Sequence, residues 1–151
     1  MKDRGIEAQM RRFCDELHGI NRVYEDYARS VDIPYTTLQI LDLITRNEGC
    51  TQKMICERTF LPKQTVNNVI TAFYKQGYVT LKEVPEDRRN KTIHLTKSGQ
   101  EYAGRVIPQI REAEYEAMAE LTDEQRCALI ESIRIYSEMF SKAMPAGERQ
   151  G

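Results

Sequence analysis

The sequence has few of the residues that build metal centres or disulfide scaffolds. There are only two histidines, His18 and His94, and the four cysteines are scattered without a C-x-x-C pair. They are Cys14, Cys50, Cys56 and Cys127. Structural zinc sites and disulfide frameworks need clustered ligands or characteristic cysteine spacings. We therefore expect no metal site, no disulfide scaffold and no cofactor.

Long apolar runs and catalytic motifs are missing too. A membrane-spanning helix needs about 18 or more consecutive apolar residues, and no run of that length occurs. Residues 1–5 are polar and do not resemble a signal peptide. No glycine-rich phosphate loop, pair of catalytic carboxylates or nucleophile–base pattern is present. We expect a cytoplasmic protein without enzymatic activity.

Charge is unevenly distributed along the 151 residues, although the net charge is only −1. Residues 51–95 carry 8 Lys and Arg against 4 Asp and Glu, whereas residues 1–50 carry 7 against 9 and residues 96–151 carry 7 against 10. A positive segment between two acidic flanks is typical of a nucleic-acid-binding region. The length suits one domain with a substantial core.

Residues 62–77 predict a helix with an unusual polar face. Pro62 suits the first helical position and Gly77 the left-handed position after the end. Apolar residues at helical spacing predict a buried stripe, formed by Val66, Val69, Ile70 and Phe73. The other face lacks Asp and Glu and carries Lys63, Gln64, Thr65, Asn67, Asn68 and Thr71. Such amides and hydroxyls suit base recognition in a major groove, although a plain surface helix that happens to lack acids would have the same composition.

The preceding segment completes a helix-turn-helix. Thr51 is the predicted N-cap of a short helix whose Met54 and Ile55 face inward. Residues 59–61 form the turn, and Leu61 at the next N-cap position would leave backbone N–H groups available for a phosphate. Two short helices joined by such a turn, the second polar outside, define the motif.

A β-hairpin is predicted after this motif, because the apolar period changes from 3.6 to 2. Its alternating apolar residues are Val79, Leu81, Ile93 and Leu95. Residues 84–90 would form a long basic tip. A mobile loop is the simplest interpretation, but after a helix-turn-helix the tip suits a wing, with Arg88 and Arg89 reaching the DNA backbone or minor groove.

Amphipathic helices flank this region on both sides. Residues 6–28 carry a heptad-like apolar seam, at Ile6, Met10, Phe13, Leu17, Ile20, Tyr24 and Tyr27. Capping boxes at residues 36–39 and 122–125 predict the starts of two further helices. Thr96 should cap another helix, which ends near residue 119 and bends at Pro108. A single core helix would explain the first seam, but pairing with a second chain is favoured because the last helices repeat the pattern.

The order of these elements resembles the MarR family of bacterial winged-helix transcriptional regulators over nearly the whole chain. The matching segments are Thr51-Gln52-Lys53, Gln64-Thr65-Val66, Gly77-Tyr78-Val79, Glu86-Asp87-Arg88-Arg89 and His94-Leu95-Thr96-Lys97-Ser98-Gly99. The Asp-x-Arg wing followed by Leu-Thr-x-x-Gly is the most specific part. We therefore expect a mainly α fold with a small β-hairpin wing, that is, a winged helix-turn-helix with N- and C-terminal dimerisation helices.

The resemblance implies a single domain over residues 1–151 that forms an intertwined homodimer. Residues 36–95 would be the winged helix-turn-helix lobe, residues 1–31 and 97–144 the dimerisation helices, and residues 145–151 a tail. The partner would be double-stranded DNA with a two-fold-symmetric operator. The expected contacts are Thr51, Gln52, Lys63, Gln64, Thr65, Asn67, Asn68, Thr71, Arg88, Arg89 and Lys91.

Two features of these contacts follow from the family pattern. Arg89 would enter the minor groove, and Asp87 would orient it. Asn67 and Asn68 stand where relatives commonly have Thr and Arg, which puts a guanine or phosphate contact in doubt. Because Asn and Gln recognise adenine through N6 and N7, we expect A·T-rich positions there.

Regulation by a ligand is also implied, since family members commonly release DNA when a small aromatic or phenolic effector binds. The start of the helix after the wing could line such a cleft, together with Phe13, Leu17, Tyr24 and Tyr35, although ordinary core residues would explain them too. Redox sensing through Cys14 is an alternative, but this residue lies about one turn later than the family's sensing cysteine, which favours an inert thiol. A protein-interaction module without DNA binding is the remaining alternative. We expect a sequence-specific DNA-binding repressor.

Overall fold

A computed structural model describes residues 3–145, which form six helices and three strands. The helices are α1 (Arg4–Ser30), α2 (Tyr35–Arg46), α3 (Gln52–Thr59), α4 (Lys63–Lys75), α5 (Lys97–Ala119) and α6 (Asp123–Ala143). The strands are β1 (Cys50–Thr51), β2 (Val79–Val84) and β3 (Asp87–Leu95). The predicted mainly helical class with a hairpin wing is confirmed. Most of the predicted tail, residues 146–151, lies outside the described residues.

The chain divides into two compact units, residues 1–110 and 111–151, with the boundary inside α5. None of the helices formed by residues 3–145 has an apolar stretch long enough to span a bilayer. The first unit contains the core, whose buried residues are Ala28, Leu38, Ile40, Leu41, Ile44, Cys50, Ile55, Val66, Ile70, Phe73, Val79, Ile93, Ala103, Val106 and Ile107. The predicted inner stripe of α4 is therefore confirmed, with Val69 partly buried.

The three strands form an antiparallel sheet in the order β1-β3-β2. Val79 pairs with Leu95, as the alternation predicts. The predicted seven-residue tip is wrong, because Val84 pairs with Asp87 and only two residues connect the strands. Both faces of this outer part are polar, so no apolar alternation marks the strands in the sequence. Strand β1 was not predicted, since two residues are too short to show a period.

Two helix starts differ from the prediction. Helix α2 begins at Tyr35, and Pro34 is its N-cap without a side-chain hydrogen bond, so the capping box predicted at residues 36–39 is wrong. The Pro34 carbonyl accepts the N–H of Leu38 at 3.1 Å, which starts the helix earlier than the sequence pattern suggests. Helix α4 begins at Lys63, and Pro62 rather than Leu61 is its N-cap.

Other helix starts agree with the sequence. The Thr51 hydroxyl accepts the N–H of Met54 at 3.2 Å. Thr96 likewise accepts the N–H of Gly99 at 3.0 Å. In the second unit, Thr122 and Gln125 form the predicted capping box. Side-chain caps are local interactions, and the sequence therefore predicts them well.

A cluster of hydrogen bonds joins the end of α4 to the start of α5. Thr96 and Ser98 both donate their hydroxyls to the Gly77 carbonyl, at 2.6 and 2.9 Å. A Cβ on Gly99 would lie 1.9 Å from the Tyr78 carbonyl oxygen, so no side chain fits there. The Leu-Thr-x-x-Gly segment after the wing is therefore a packing motif that fixes α5 against the residues that follow α4.

Candidate nucleic-acid interface

The polar face of α4 is exposed, as the sequence predicts. Gln64, Asn67, Asn68 and Thr71 are exposed, and Thr65 is half-buried. Gln64 donates its Nε2 to Asn68 Oδ1 at 2.8 Å, so the two amides are held together one turn apart. This bond uses one donor of Gln64 and one acceptor of Asn68. Each amide keeps further capacity, which is the chemistry of a bidentate contact to adenine.

The N-terminal end of α4 carries positive charge. Neither Pro62 nor any other side chain caps it, and its first turn contains no acidic residue. The first residue is Lys63, which is exposed. Because the first N–H groups of a helix lack intrahelical partners and the helix dipole is positive at this end, the end of α4 favours an anion.

The wing presents basic side chains along β3. Arg88, Arg89 and Lys91 are exposed and lie within the strand rather than in a loop. Asp87 accepts the backbone N–H of Arg89 at 3.0 Å. The carboxylate thus fixes the backbone at Arg89.

A cleft of about 460 Å³ brings α3, the start of α4 and the wing together. Its lining includes four cationic residues and one carboxylate, with polar and apolar neighbours: Gln52, Lys53, Cys56, Lys63, Leu81, Asp87, Arg89, Asn90, Lys91 and Ile93. Four of the predicted contacts therefore meet here, namely Gln52, Lys63, Arg89 and Lys91. Lys53 and Asn90 were not predicted as contacts. Lys53 belongs to the Thr51-Gln52-Lys53 segment that carries the family resemblance, and Asn90 follows Arg89.

Thr51, one of the expected DNA contacts, also has a structural role. It is half-buried in β1, and its hydroxyl caps α3. A hydroxyl that accepts a hydrogen bond can still donate one. Thr51 can therefore serve both the helix and a phosphate.

The candidate effector residues are not all neighbours. Tyr24 and Tyr35 stack with their ring centroids 5.5 Å apart. At a rise of about 1.5 Å per residue, Leu17 and Phe13 lie roughly 10 and 16 Å from Tyr24 along α1. Tyr35 also lines an open depression of about 470 Å³ with Glu25, Arg29, Asp32, Ile33 and Pro34.

A separate pocket of about 300 Å³ lies within the first unit. It is lined by residues of the segment before α2, of α2, of α4 and of α5, and none of them is charged: Ile33, Pro34, Thr37, Asn68, Val69, Ala72, Phe73, Gln76 and Tyr102. The Tyr102 ring stacks on Tyr78 with centroids 4.6 Å apart. Burial raises the pKa of Tyr102, and the nearby Tyr78 raises it further, whereas Arg105 opposes the shift. The phenol therefore stays neutral at physiological pH.

All four cysteines are free thiols. Cys14 is half-buried on α1, and Cys50 is buried in β1, where burial raises the pKa of its thiol. Within residues 3–145, no group of three His, Cys, Asp or Glu side chains could hold a metal ion.

Comparisons with known proteins identify the family. A model described as MarR family matches residues 31–90. The transcriptional regulator SarZ of Staphylococcus saprophyticus is 31% identical over 101 residues, which are 66% of this chain and 69% of the relative. SarZ of Staphylococcus haemolyticus is 33% identical over 76 residues, and the chain spans about half (52%) of its length. The chain belongs to the MarR family of transcriptional regulators.

Solved structures of the family have the same fold. A MarR family regulator from Neisseria meningitidis has a TM-score of 0.78 and 26% identity, over 89% of this chain and 94% of that one. FabT from Streptococcus pneumoniae, solved in complex with DNA, has a TM-score of 0.70 and 16% identity, over 92% and 99%. MarR from Staphylococcus aureus, solved with salicylate and kanamycin, has a TM-score of 0.68 and 20% identity, over 93% and 97%.

Proposed function

We propose that this chain is a sequence-specific double-stranded DNA-binding regulator that places α4 in the major groove and the wing against the adjacent backbone. One observation carries the proposal. The acid-free polar face of α4 begins beside a cleft in which Lys63, Arg89 and Lys91 meet. Amides on the helix supply base contacts, and cations around the cleft supply phosphate contacts. The DNA complex of FabT, which has the same fold, supports this arrangement.

We further propose that the regulator binds DNA as a homodimer. The α1 seam exposes Ile6, Met10 and Ile20 by 65%, 49% and 54%. Helix α6 exposes an apolar row as well, comprising Leu129, Ile133, Tyr136 and Phe140. Apolar surface of this extent marks an interaction site, and a symmetric dimer would match a two-fold-symmetric operator.

Release by a small effector is the regulatory part of the proposal. The uncharged 300 Å³ pocket has aromatic and aliphatic walls with a few amides and one hydroxyl, which suits a small phenolic or aromatic compound. Asn68 lines this pocket and also pairs with Gln64 on the α4 face. A ligand that displaces Asn68 would disturb base recognition and release the DNA. We propose that the protein is a repressor and that its effector releases it in this way. The salicylate complex of Staphylococcus aureus MarR supports a ligand of this class.

Selection of bound duplexes from a random DNA pool tests the function. We expect enrichment of a two-fold-symmetric site with A·T pairs at the positions contacted by Asn67 and Asn68. Repeating the selection with salicylate or related phenols should reduce recovery of the same site. A pool without any symmetric enrichment would contradict the regulator proposal, and a phenol-insensitive site would contradict only the effector part. Binding to chromosomal DNA would place the protein in the cytoplasm.

A further inference from the structure

Phe60 occupies an unfavourable position in the turn between α3 and α4. Its side chain is 89% exposed, which makes it the most exposed large apolar side chain among residues 3–145. Its backbone is left-handed, with φ 57° and ψ 17°, and it caps the C-terminal end of α3. The neighbouring residues leave its ring almost entirely in water.

Both features are costly for phenylalanine. A left-handed C-cap favours Gly or Asn, because a bulky side chain clashes with its own backbone there. An exposed aromatic ring gains nothing from packing. Unfavourable backbone conformation and unfavourable exposure occur together mainly at functional sites. We therefore expect Phe60 to contact another molecule.

The position of Phe60 indicates what this contact is. It precedes Lys63 by three residues, at the uncapped end of α4. When a recognition helix enters the major groove by its N-terminal end, the turn before it faces the strand that borders the groove. The apolar groups of DNA at that place are the deoxyribose C–H groups and the thymine methyl.

We propose that the Phe60 ring packs on the apolar surface of the operator beside the phosphate that faces the α4 N-terminus. The ring exchanges its contact with water for deoxyribose or thymine methyl when the protein docks. Phe60 is thereby a DNA-contact residue that fixes how deeply α4 enters the groove. This inference rests on the proposed DNA-binding function.

The substitution Phe60→Asn separates a DNA contact from a structural role. Asn is better suited to the left-handed backbone, so the thermal midpoint should stay the same or rise. Losing burial of part of an aromatic ring should weaken operator binding about fivefold to tenfold per subunit. Fluorescence anisotropy with a labelled operator and differential scanning calorimetry measure the two quantities. Phe60→Leu, which keeps an apolar side chain, should recover part of the affinity.

Tyr74→Ala is the matched control. Tyr74 is another exposed aromatic residue, but it lies at the opposite end of α4. Its removal should leave operator affinity unchanged within about twofold. A loss equal to that of Phe60→Asn would show a general effect of aromatic surface and would overturn the proposal.

Duplexes with deoxyuridine in place of thymine distinguish the two apolar surfaces. If Phe60 packs on deoxyribose, Phe60→Asn loses the same factor on both duplexes. If it packs on a thymine methyl, the loss disappears on the deoxyuridine duplex. Either result supports the contact. Wild-type affinity in a normally stable Phe60→Asn protein would overturn it, as would a parallel fall in thermal midpoint. Failure of the wild-type protein to bind any duplex would instead contradict the proposed function.

Discussion

The apolar residues of α4 and those of the long helices have opposite environments. Val66 and Ile70 of α4 are completely buried by the rest of the first unit. Ile20 of α1 and Phe140 of α6 follow an equally regular helical pattern, yet each is about half exposed. Periodicity alone therefore identifies an apolar face without saying what covers it.

The difference distinguishes apolar faces that a single chain buries from apolar faces that a single chain leaves exposed. The winged helix-turn-helix buries its apolar stripes within one chain, and apart from Phe60 and Tyr74 the exposed face of α4 and the turn before it is mostly polar. Helices α1 and α6 leave much of their apolar surface exposed within residues 3–145, and the proposed dimer would cover it. Substitutions in the two regions should accordingly affect different measurements: unfolding of the lobe in one case and association in the other.

The largest effect is expected from Gly99→Ala at the start of α5, which packs closely against the residues that follow α4. The added Cβ would overlap the Tyr78 carbonyl, whose oxygen would lie 1.9 Å away. Overpacking against backbone should lower the free energy of unfolding by about 3 kcal/mol or more. Urea denaturation measures this loss. Gly104→Ala in the same helix is the control, because nothing lies within 4 Å and Ala should stabilise by about 0.5 to 1 kcal/mol.

Ile20→Glu should act on association instead. A carboxylate on the α1 seam must be desolvated when the seam is covered, so the dimer dissociation constant should rise at least about 100-fold. Light scattering coupled to size-exclusion chromatography measures the change in mass. Asp15→Lys alters charge on another face of α1 and should leave the dimer intact. A dimeric Ile20→Glu protein would show that the seam is covered in some other way.

Asn68→Ala tests base recognition on α4. We expect a loss of roughly 1–3 kcal/mol on the selected operator and a relaxed preference at one base pair. Competition binding with operators altered at single positions measures both effects. Equal losses on operator and random DNA would assign Asn68 to the backbone rather than to a base.

Arg89→Ala should have the smallest effect on discrimination between DNA sequences, because a phosphate or minor-groove contact can form on any of them. Affinity should fall similarly on every duplex, and the slope of log K against log salt should decrease by about one unit. Titrations at several salt concentrations measure this slope. Arg22→Ala on α1 provides a control with the same charge change. An unchanged slope in the Arg89 variant would exclude the wing from the interface.

Local signals allowed much of the fold to be predicted. The caps at Thr51 and Thr122 depend only on a residue three positions away, and the inner stripe of α4 depends on helical spacing. The start of α2 at Tyr35 and the short wing tip were not predicted, because backbone pairing rather than side-chain pattern determines them. The left-handed Phe60 has no sequence signal at all, since aromatic residues rarely adopt that conformation.

The candidate interface was predicted less from pattern than from resemblance. The α4 face follows from its lack of acids. The meeting of Gln52 and Lys91 across the 460 Å³ cleft depends on the three-dimensional placement of α3 against β3. Their spacing along the chain does not predict that these two residues lie close together. They were both predicted as DNA contacts because of the resemblance to the family.

The Gly77 carbonyl has a consequence for how α4 moves. It follows the last turn of α4 and accepts hydroxyls from both Thr96 and Ser98, at the start of α5. With Tyr78 packed against Gly99 as well, the first turn of α5 cannot tilt without displacing the end of α4. A displacement of the first turn of α5 would therefore break hydrogen bonds at the end of α4, the helix that carries the Gln64 and Asn68 amides.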